Sequence, residues 1–355
     1  MNVWGNKFKI SIFGESHGAG IGVVIDGIPS GFEPDMEEIS KQMKRRAPGR
    51  NNLSTPRKEA DEVQILSGLY NGKTTGTPLC GIIMNTNTRS HDYTPDLMRP
   101  GHADYTAIQK YGMSRDFRGG GHFSGRITAP LVFAGAIARQ VLSKMGITVG
   151  AHILNIGGIC DEKFDAVYLT CDTLTELSKK DFPVCNEAAG EKMKQLIEER
   201  RLDKNSAGGI IECGICGIRA GIGSPFFESV ESRLSSMMFS IPAVKGIEFG
   251  AGFDFAELDG REANDELYVE NGEVKTYTNN NAGINGGITN GMPIVFRLAI
   301  KPTPSIASKQ KTIDIAAMQN THIEIQGRHD PCVVHRAAVV VEAAAAIAIL
   351  DMILE

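Results

Sequence analysis

A long apolar segment close to the C-terminus, residues 337–354, places the strongest constraint on the fold of this chain. Alanine dominates the segment, and Glu342 and Asp351 are its only charged residues. A helix that crosses a membrane needs about 20 consecutive, predominantly apolar residues. Because two carboxylates interrupt this segment, the pattern predicts a helix that is buried inside a folded protein.

The composition is typical of a globular protein. Apolar residues make up 42% of the 355 residues and charged residues 22%, which supports a sizeable core. The formal net charge of −5 argues against non-specific nucleic-acid binding. No apolar leader follows Lys7 and Lys9, and the seven cysteines are scattered and odd in number. We therefore expect a soluble, cytoplasmic protein with reduced cysteines.

Short apolar runs that end in glycine predict strands, and the stretches between them predict helices. The predicted strands cover residues 9–13, 20–28, 78–85, 147–159, 208–218, 245–253 and 293–301. The predicted helices cover residues 35–46, 129–146, 186–201, 228–240 and the C-terminal segment. Strands and helices do not alternate regularly, which argues against a doubly wound sheet. We expect one domain, residues 1–355, with residues 260–280 as an exposed hairpin or flexible loop.

Three motifs match a functional consensus poorly. Residues 68–74, GLYNGKT, are one residue short of a phosphate-binding P-loop, and we interpret them as a turn. Residues 18–22, GAGIG, lack the third glycine of a dinucleotide-binding motif and lead into a strand. Cys213 and Cys216 have no second pair at zinc-binding spacing, and on a strand they would point to opposite faces. We interpret both as core residues and expect no metal.

Three histidines lie beside glycine residues: His17 in GESHG, His102 in RPGHADYT and His122 in RGGGHF. One such histidine is usually structural. Three make sense if a ligand must approach imidazole groups that transfer protons near neutral pH. Arginines cluster around the same motifs, and guanidinium groups bind phosphate and carboxylate in a bidentate way. The pattern predicts an enzyme that acts on a small molecule with several anionic groups.

Two further segments offer groups to a cofactor. Residues 279–291, NNNAGINGGITNG, favour turns, and they also offer amides and bare backbone to a heterocycle. Residues 301–305, KPTPS, are held extended by two prolines and could point hydroxyl and ammonium groups at a phosphate. Neither segment alone identifies the reaction.

The order of eight motifs resembles that of chorismate synthases, from the first ten residues to the C-terminal helix. The motifs are GESHG, RRAPG, RPGHADYT, DFRGGG, KGIEFGAGF, NAGINGGITNG, KPT and GRHDPCV. The resemblance implies an α+β fold that forms a β-α-β sandwich, a homotetramer and the last step of the shikimate pathway. In that step 5-O-(1-carboxyvinyl)-3-phosphoshikimate loses phosphate and a ring hydrogen by 1,4-anti elimination. The product is chorismate, and the family requires reduced FMN without net redox change.

The resemblance also implies roles for individual residues. His17 would protonate the leaving phosphate, His102 would protonate or steady the reduced flavin, and Asp330 would help to remove the ring proton by way of flavin N5. The residues implied in binding anionic groups are Arg46, Arg118 and Arg328. The implied flavin-binding residues are His122, Phe123, Ser124, Asn281, Ala282, Gly286, Lys301, Thr303, Ser305 and Arg328.

The sequence departs from the family pattern at several positions. His122 stands where many members have an arginine, Pro304 replaces a serine of KPTSS, and Pro242 replaces an asparagine before AVKG. Asn52 stands where other members often have an arginine that is linked to NADP binding. NADPH is therefore a candidate reductant for which this sequence offers no recognisable binding residue. The alternatives are a flavin-dependent oxidoreductase for a multiply anionic small molecule and a nucleic-acid-binding protein that uses residues 44–50. No aromatic residue for base stacking lies near that basic run, which weighs against the second alternative.

Overall fold

The computed structural model describes residues 2–49, 53, 59, 61–87, 93–325 and 329–355. The strands are β1 (Val3–Trp4), β2 (Lys9–Gly14), β3 (Gly20–Asp26), β4 (Gln64–Ser67), β5 (Leu69–Tyr70), β6 (Lys73–Thr74), β7 (Leu79–Met84), β8 (Thr148–Ile156), β9 (Ile159–Cys160), β10 (Gly209–Cys216), β11 (Val244–Phe249), β12 (Leu267–Glu270), β13 (Glu273–Thr276), β14 (Ile284–Asn285), β15 (Ile288–Thr289), β16 (Ile294–Ile300), β17 (Gln310–Asp314) and β18 (Gln319–Ile323). The helices are α1 (Met36–Arg46), α2 (Asp104–Tyr111), α3 (Thr128–Ser143), α4 (Cys171–Lys179), α5 (Glu187–Leu202), α6 (Val230–Met238), α7 (Gly260–Ala263) and α8 (Val334–Leu354).

Two antiparallel sheets enclose a layer of helices. The first sheet has the strand order β1-β2-β3-β7-β4, and the second has the order β11-β16-β10-β8-β9. Helix α3 packs against β3 and β7 of the first sheet, α8 packs against β8 and β10 of the second, and the two helices pack against each other. The β-α-β sandwich is thereby confirmed. A doubly wound sheet is excluded because neighbouring strands in both sheets run antiparallel.

Helix α8 is the apolar C-terminal segment, and it lies in the interior as predicted. It is long and apolar enough to cross a membrane, but 89% of its most apolar window is buried inside the protein. Its contact with α3 is unusually close, since a Cβ atom at Gly135 would lie 2.3 Å from Cβ of Ala343. The missing side chain of Gly135 therefore allows the two helices to approach.

The two carboxylates of α8 are both fully buried, and each has ionic partners. Glu342 accepts hydrogen bonds from Arg45 of α1 at 2.5 and 2.9 Å and from Arg139 of α3 at 2.9 Å. Burial alone would raise the pKa of Glu342, but the two guanidinium groups outweigh it and lower the pKa. A buried carboxylate is stable only when it is paired in this way. Glu342 therefore joins α1, α3 and α8, three helices that contact one another.

Asp351 anchors the N-terminal segment to the end of α8. Its Oδ1 atom accepts the backbone N–H groups of Asn6, Lys7 and Phe8 at 2.9, 2.7 and 2.7 Å. Arg233 of α6 forms an ion pair with the same carboxylate. The two charges that interrupt the apolar segment thus orient the buried helix relative to its neighbours.

The predicted strands and helices agree with the structure to within a few residues, because caps and glycines mark their ends. Asp35 caps α1 and Asn186 caps α5 through their side-chain oxygens. The exposed hairpin predicted within residues 260–280 is formed by β12 and β13. Sequence reasoning missed α2, α4 and the β17–β18 hairpin, which are short or mostly polar and therefore lack a strong apolar period.

The poorly matching motifs are structural, as predicted. Residues 68–74 form the β5–β6 hairpin, whose turn residues Asn71 and Gly72 have positive φ. Residues 20–22 open β3, which is a strand rather than a helix. Cys213 belongs to the main core, whereas Cys216 packs in a small cluster on the outer face of the second sheet with Phe164 and Leu174.

A row of alternating charges crosses the second sheet. Glu248, Arg297, Glu212 and His152 are direct cross-strand partners on β11, β16, β10 and β8. Arg297 donates to Glu248 at 2.7 Å, and the two ring nitrogens of His152 lie 3.0 Å from Glu212 and 3.0 Å from Asp161. Burial opposes a charge on His152, but hydrogen bonds to Asp161, Cys185 and Glu212 raise its pKa to about 11. His152 is therefore a buried imidazolium that neutralises two carboxylates.

Protonation of His152 makes the free energy of unfolding decrease as the pH rises into the alkaline range. Between the ordinary value of 6.5 and about 11, the folded protein holds a proton that the unfolded chain has released. The contribution is therefore complete below pH 6.5 and is lost as the pH rises towards 11, by at most about 1.4 kcal/mol per pH unit. We expect His152→Gln to lower the free energy of unfolding by about 3–5 kcal/mol at pH 7. The free energy of unfolding of this variant should also decrease less between pH 7 and 10 than that of the wild type. Both effects can be measured by urea denaturation.

The control for His152 is His322→Gln on the exposed surface of β18. That variant should retain the stability and pH dependence of the wild type. An equally steep decline in His152→Gln would contradict the assignment of the proton to His152.

The close approach of α3 and α8 gives a second prediction about stability. Alanine has the higher helix propensity by about 1 kcal/mol, but its methyl group at Gly135 would overlap Ala343. Overpacking of this kind costs about 1–3 kcal/mol, so we expect Gly135→Ala to be less stable than the wild type in thermal unfolding. Gly260→Ala in α7 is the matched control, because a Cβ atom there would have nothing within 4 Å. Equal stability of the two variants would contradict a close helix crossing.

Candidate active site

A cavity of about 810 Å³ lies between the two sheets at the N-terminal ends of α3 and α8. The walls include Ile10 and Ile12 of β2, Thr128 of α3, Lys245 of β11 and Ala337 of α8. Its volume falls within the range of about 300–1,000 Å³ that is usual for small-molecule sites. The N-terminal ends of helices carry positive partial charge and favour anions.

The charge of the cavity is opposite to that of the protein as a whole. Within the described residues, six cationic side chains and one carboxylate line it. The cationic residues are Arg46, Arg99, Arg126, Lys245, Lys301 and Arg336, and the carboxylate is Asp330. An acidic protein that gathers cations around one cavity is suited to bind a ligand with several negative groups.

The triple glycine lies between two of the predicted catalytic histidines. Gly119, Gly120 and Gly121 have φ angles of +60°, +84° and +53°, in the left-handed region that glycine tolerates. A Cβ atom at Gly119 would lie 2.5 Å from Nε2 of His17, and one at Gly120 would lie 3.2 Å from Nε2 of His102. A side chain at Gly119 would collide with the His17 ring, and one at Gly120 would press against the His102 ring.

His17 lies just behind the cavity wall. It follows β2 in a turn that Asn85 holds by donating hydrogen bonds to the carbonyl oxygens of Glu15 and Gly18 at 2.9 and 3.0 Å. Its ring is buried, contacts Gly119 and meets the Tyr93 ring edge-on with centroids 5.4 Å apart. Gly119 and Tyr93 line the cavity themselves, whereas His17 reaches it only past these two residues.

His102 lines the cavity and is held from behind by a carboxylate. Its Nδ1 atom lies 2.8 Å from Oδ1 of Asp104, the first residue of α2, and Arg99 binds the same carboxylate through two hydrogen bonds of 2.7 Å. Burial would raise the pKa of Asp104, but the hydrogen bonds from Arg99 and His102 outweigh it and hold the pKa below its ordinary value. Asp104 therefore remains an anion at neutral pH.

Arg46 is buried at the end of α1 beside a second arginine. Asp61 pairs with both Arg46, at 2.5 Å, and Arg126. Burial and the charges of Arg336 and Arg126 lower the pKa of Arg46 to about 10, although Asp61 opposes the shift. Arg126 also pairs with buried Glu59 at 2.5 Å, so two buried carboxylates lie between these arginines.

Asp330 lies at the start of α8 and faces the same cluster. Arg336 donates to Asp330 at 2.7 Å and to the carbonyl oxygen of Arg46 at 3.0 Å. The structure thus brings Asp330, Arg46 and His102 together around one cavity. Arg328 lies outside the described residues.

Six of the predicted flavin-binding residues line the cavity. They are His122, Phe123, Ser124, Lys301, Thr303 and Ser305. Nδ1 of His122 lies 2.8 Å from the carbonyl oxygen of Gly14, and its Nε2 lies 3.3 Å from Oδ1 of Asn2. His122 thus uses both nitrogens in local contacts.

Four other predicted site residues do not line the cavity. Asn281 bonds to Asp265 through its backbone and its amide at 2.8 and 2.9 Å, and Gly286 forms the turn of the β14–β15 hairpin. Ala282 is fully buried. Arg118 is partly exposed and forms a bidentate pair with Asp116 at 2.8 and 2.8 Å. Their contacts in this chain are therefore local, and their assignment to ligand binding stays a prediction.

Sequence reasoning noted Arg99, Arg126 and Arg336 as basic residues but gave them no role, and it missed Asp61 and Asp104. A signal was present for Asp104, which stands two residues after His102. Asp61 gave none, because its partners are 15 and 65 positions away along the chain.

One cluster outside the cavity contains metal-ligand types. His152, Asp161 and Cys185 place ligand atoms within 4.8 Å of one another. Both ring nitrogens of His152 already face carboxylates, so the cluster is better explained as the end of the charged row across the second sheet.

The fold and a cationic cavity of this size define an enzyme that acts on a small molecule. A family model described as chorismate synthase matches residues 8–354. A chorismate synthase from Lachnospira eligens is 46% identical over 100% of this chain and 95% of that protein. One from Methanobrevibacter smithii is 43% identical over 99% of this chain and 95% of that protein.

A solved structure provides independent support. A crystal structure of chorismate synthase matches 99% of this chain and 93% of that chain with a TM-score of 0.78 at 30% sequence identity. The chain belongs to the chorismate synthase family.

The triple glycine gives a direct test of the site. In Gly119→Ala the new methyl group would collide with His17. The alanine would also have to adopt the positive φ of this position, which is strained for any residue other than glycine. A displacement of about 1 Å in a catalytic group costs about 100-fold in rate, so we expect turnover to fall by about that factor. Gly260→Ala, at an open position without positive φ, is the control and should retain full turnover. Wild-type turnover in Gly119→Ala would show that the contact with His17 is unimportant.

Proposed function

We propose that this protein converts 5-O-(1-carboxyvinyl)-3-phosphoshikimate to chorismate and phosphate by 1,4-anti elimination. The cavity lined by six cations and one carboxylate is the observation that supports this most directly. The substrate carries two carboxylates and a phosphate, which accounts for so many guanidinium groups in a protein with a net charge of −5. In the reaction a C–O bond to phosphate breaks and a ring proton is removed.

Each reacting group has a candidate partner in the chain. His17 would donate a proton to the departing phosphate, past Gly119, whose missing side chain leaves the imidazole uncovered on that side. Asp330 would take up the ring proton, oriented by its 2.7 Å contact with Arg336. Arg46, Arg126 and Arg336 would bind the carboxylates and the phosphate. His102 would hold a proton near the ring system.

Reduced FMN is part of the proposal, and the residues around Lys301 fit its phosphate. Thr303 has a buried Oγ1 atom that has no hydrogen-bond partner among the described residues. Lys301 donates to the carbonyl oxygen of Gly101 at 2.5 Å, and burial together with Lys245 lowers its pKa. A phosphate there would accept from Thr303 and pair with both lysines. When bound, reduced flavin would lend an electron to the substrate transiently.

We also propose a cytoplasmic homotetramer that folds as one domain over residues 1–355. All seven cysteines are free thiols, as expected in a reducing compartment. One hydrophobic core extends from the first sheet through the helices to the second, which supports a single domain. Phe226, Phe227 and Phe253 are 83–89% exposed and are suited to be covered by other subunits.

The reaction can be tested with purified protein, the phosphorylated substrate and chemically reduced FMN under anaerobic conditions without NADPH. We expect stoichiometric release of phosphate and formation of chorismate. A requirement for net oxidation of the substrate would instead indicate a flavin-dependent oxidoreductase. Bleaching of oxidised FMN by NADPH in the same vessel would show whether the protein also reduces its own flavin.

The proposed proton donors give a matched prediction. His17→Ala and His102→Ala should each lower turnover by about 10²–10⁴-fold, the usual contribution of general acid–base groups. Circular dichroism should show both variants folded, and the exposed His322→Ala is the control. Unchanged turnover in both active-site variants would refute their roles.

A further inference from the structure

Three residues connect the two histidines to each other, and none of them was assigned a role by the family resemblance. We propose that Asp104, Arg99 and Tyr93, called here the positioning triad, hold His102 in one tautomer and hold His17 in one orientation. The proposal rests on the proposed function for its importance to turnover. Its structural part can be tested without the reaction.

The tautomer of His102 follows from the groups around its Nδ1 atom. Oδ1 of Asp104 lies 2.8 Å away and Nη2 of Arg99 lies 3.1 Å away. A guanidinium group can only donate, and an ionised carboxylate can only accept. A bare Nδ1 would point its lone pair at the carboxylate, which is the nearer neighbour. His102 therefore carries its proton on Nδ1 and donates it to Asp104, as orienting carboxylates require of a histidine.

This tautomer leaves Nε2 of His102 as the reactive nitrogen. Nε2 lies on the side of Gly120, where the missing side chain leaves the ring uncovered. His102 itself lines the cavity. Asp104 therefore selects which nitrogen is offered to a ligand, although it lies behind His102 and touches no ligand itself.

Arg99 extends the same arrangement to the second histidine. Its guanidinium group is fixed by Asp104 through Nε and Nη2 at 2.7 Å each and lies 5.4 Å from the centroid of the Tyr93 ring. The Tyr93 ring in turn meets the His17 ring at an angle of 87° with centroids 5.4 Å apart. Cation–π and edge-to-face contacts both favour one relative orientation. Movement of Arg99 would therefore change the support of His17 as well as that of His102.

The triad also forms a wall between two cavities. Tyr93 and Arg99 line the large cavity and also a smaller one of about 200 Å³, which Asp104 lines as well. Tyr93 lies between the two cavities and contacts both Arg99 and His17 there. Its ring is therefore placed to position His17.

The first test reads the tautomer by ¹⁵N NMR of imidazole nitrogens in histidine-labelled protein, with His102→Gln used to assign the signal. We expect neutral wild-type His102 to carry its proton on Nδ1. In Asp104→Asn the amide can donate to Nδ1, and the proton should move towards Nε2. A wild-type signal with the proton on Nε2, or an unchanged signal in Asp104→Asn, would overturn the proposal.

The second test uses the anaerobic turnover assay. We expect Asp104→Asn to lower kcat by about 10–100-fold, the usual effect of losing an orienting partner, with little change in KM and a displaced limb in the pH profile of kcat. Asp165→Asn is the control, because its exposed carboxylate only caps a turn at Val167 and Tyr168. A loss of kcat that merely follows the folded fraction, with an unchanged pH profile, would reduce Asp104 to a structural role.

Tyr93 provides the link to His17. Tyr93→Phe keeps the ring, so it should retain clearly more of kcat than Tyr93→Leu and should leave the His17 ¹⁵N signal in place. Tyr70→Leu on the exposed β5–β6 hairpin is the control for aromatic loss. Equal kcat and equal His17 signals in the two Tyr93 variants would contradict a role of Tyr93 in positioning His17. If the wild type forms no chorismate, the proposed function fails, while the NMR signals of both histidines still decide this inference.

Discussion

The burial of helix α8 is the constraint on which the rest of the fold depends. A helix that is apolar on almost every face must be covered on every face, and the second sheet with α3, α6 and α1 provides that cover. Its two carboxylates then decide how it is oriented, because a buried charge must find its partners. Glu342 draws in Arg45 and Arg139, and Asp351 draws in the N-terminal backbone.

The active-site cavity follows from the same arrangement. Because α3 and α8 begin at the same end of the sandwich, their positive N-terminal ends and the arginines beside them point into one space. Asp61 sits between Arg46 and Arg126, and Glu59 also pairs with Arg126, so the two arginines are held side by side at the cavity wall. The cavity is thus prepared for anions before any ligand arrives, and little reorganisation is needed on binding.

Much of the fold could be predicted, because caps, glycines and apolar runs act locally. Asp35 and Asn186 marked helix starts, and glycine runs marked strand ends. The site was harder. His17 and His102 were recognisable by their glycine neighbours, yet the residues that hold them were not. No local pattern could have shown that Asn281 bonds to Asp265 or that Gly286 forms the turn of the β14–β15 hairpin.

The order of residues alone was sufficient to predict most of the longer strands and helices, the buried C-terminal helix and the family, since each depends on neighbours along the chain or on motifs. The folded molecule was needed to show that Gly119 and Gly120 separate two imidazole rings, that Asp61 pairs with two arginines and that His17 lies behind the cavity wall. These are contacts between residues far apart in sequence, and they exist only after the sheets and helices have packed. That packing also determines the charge of the cavity, because it decides which of the many arginines line the cavity and which face water.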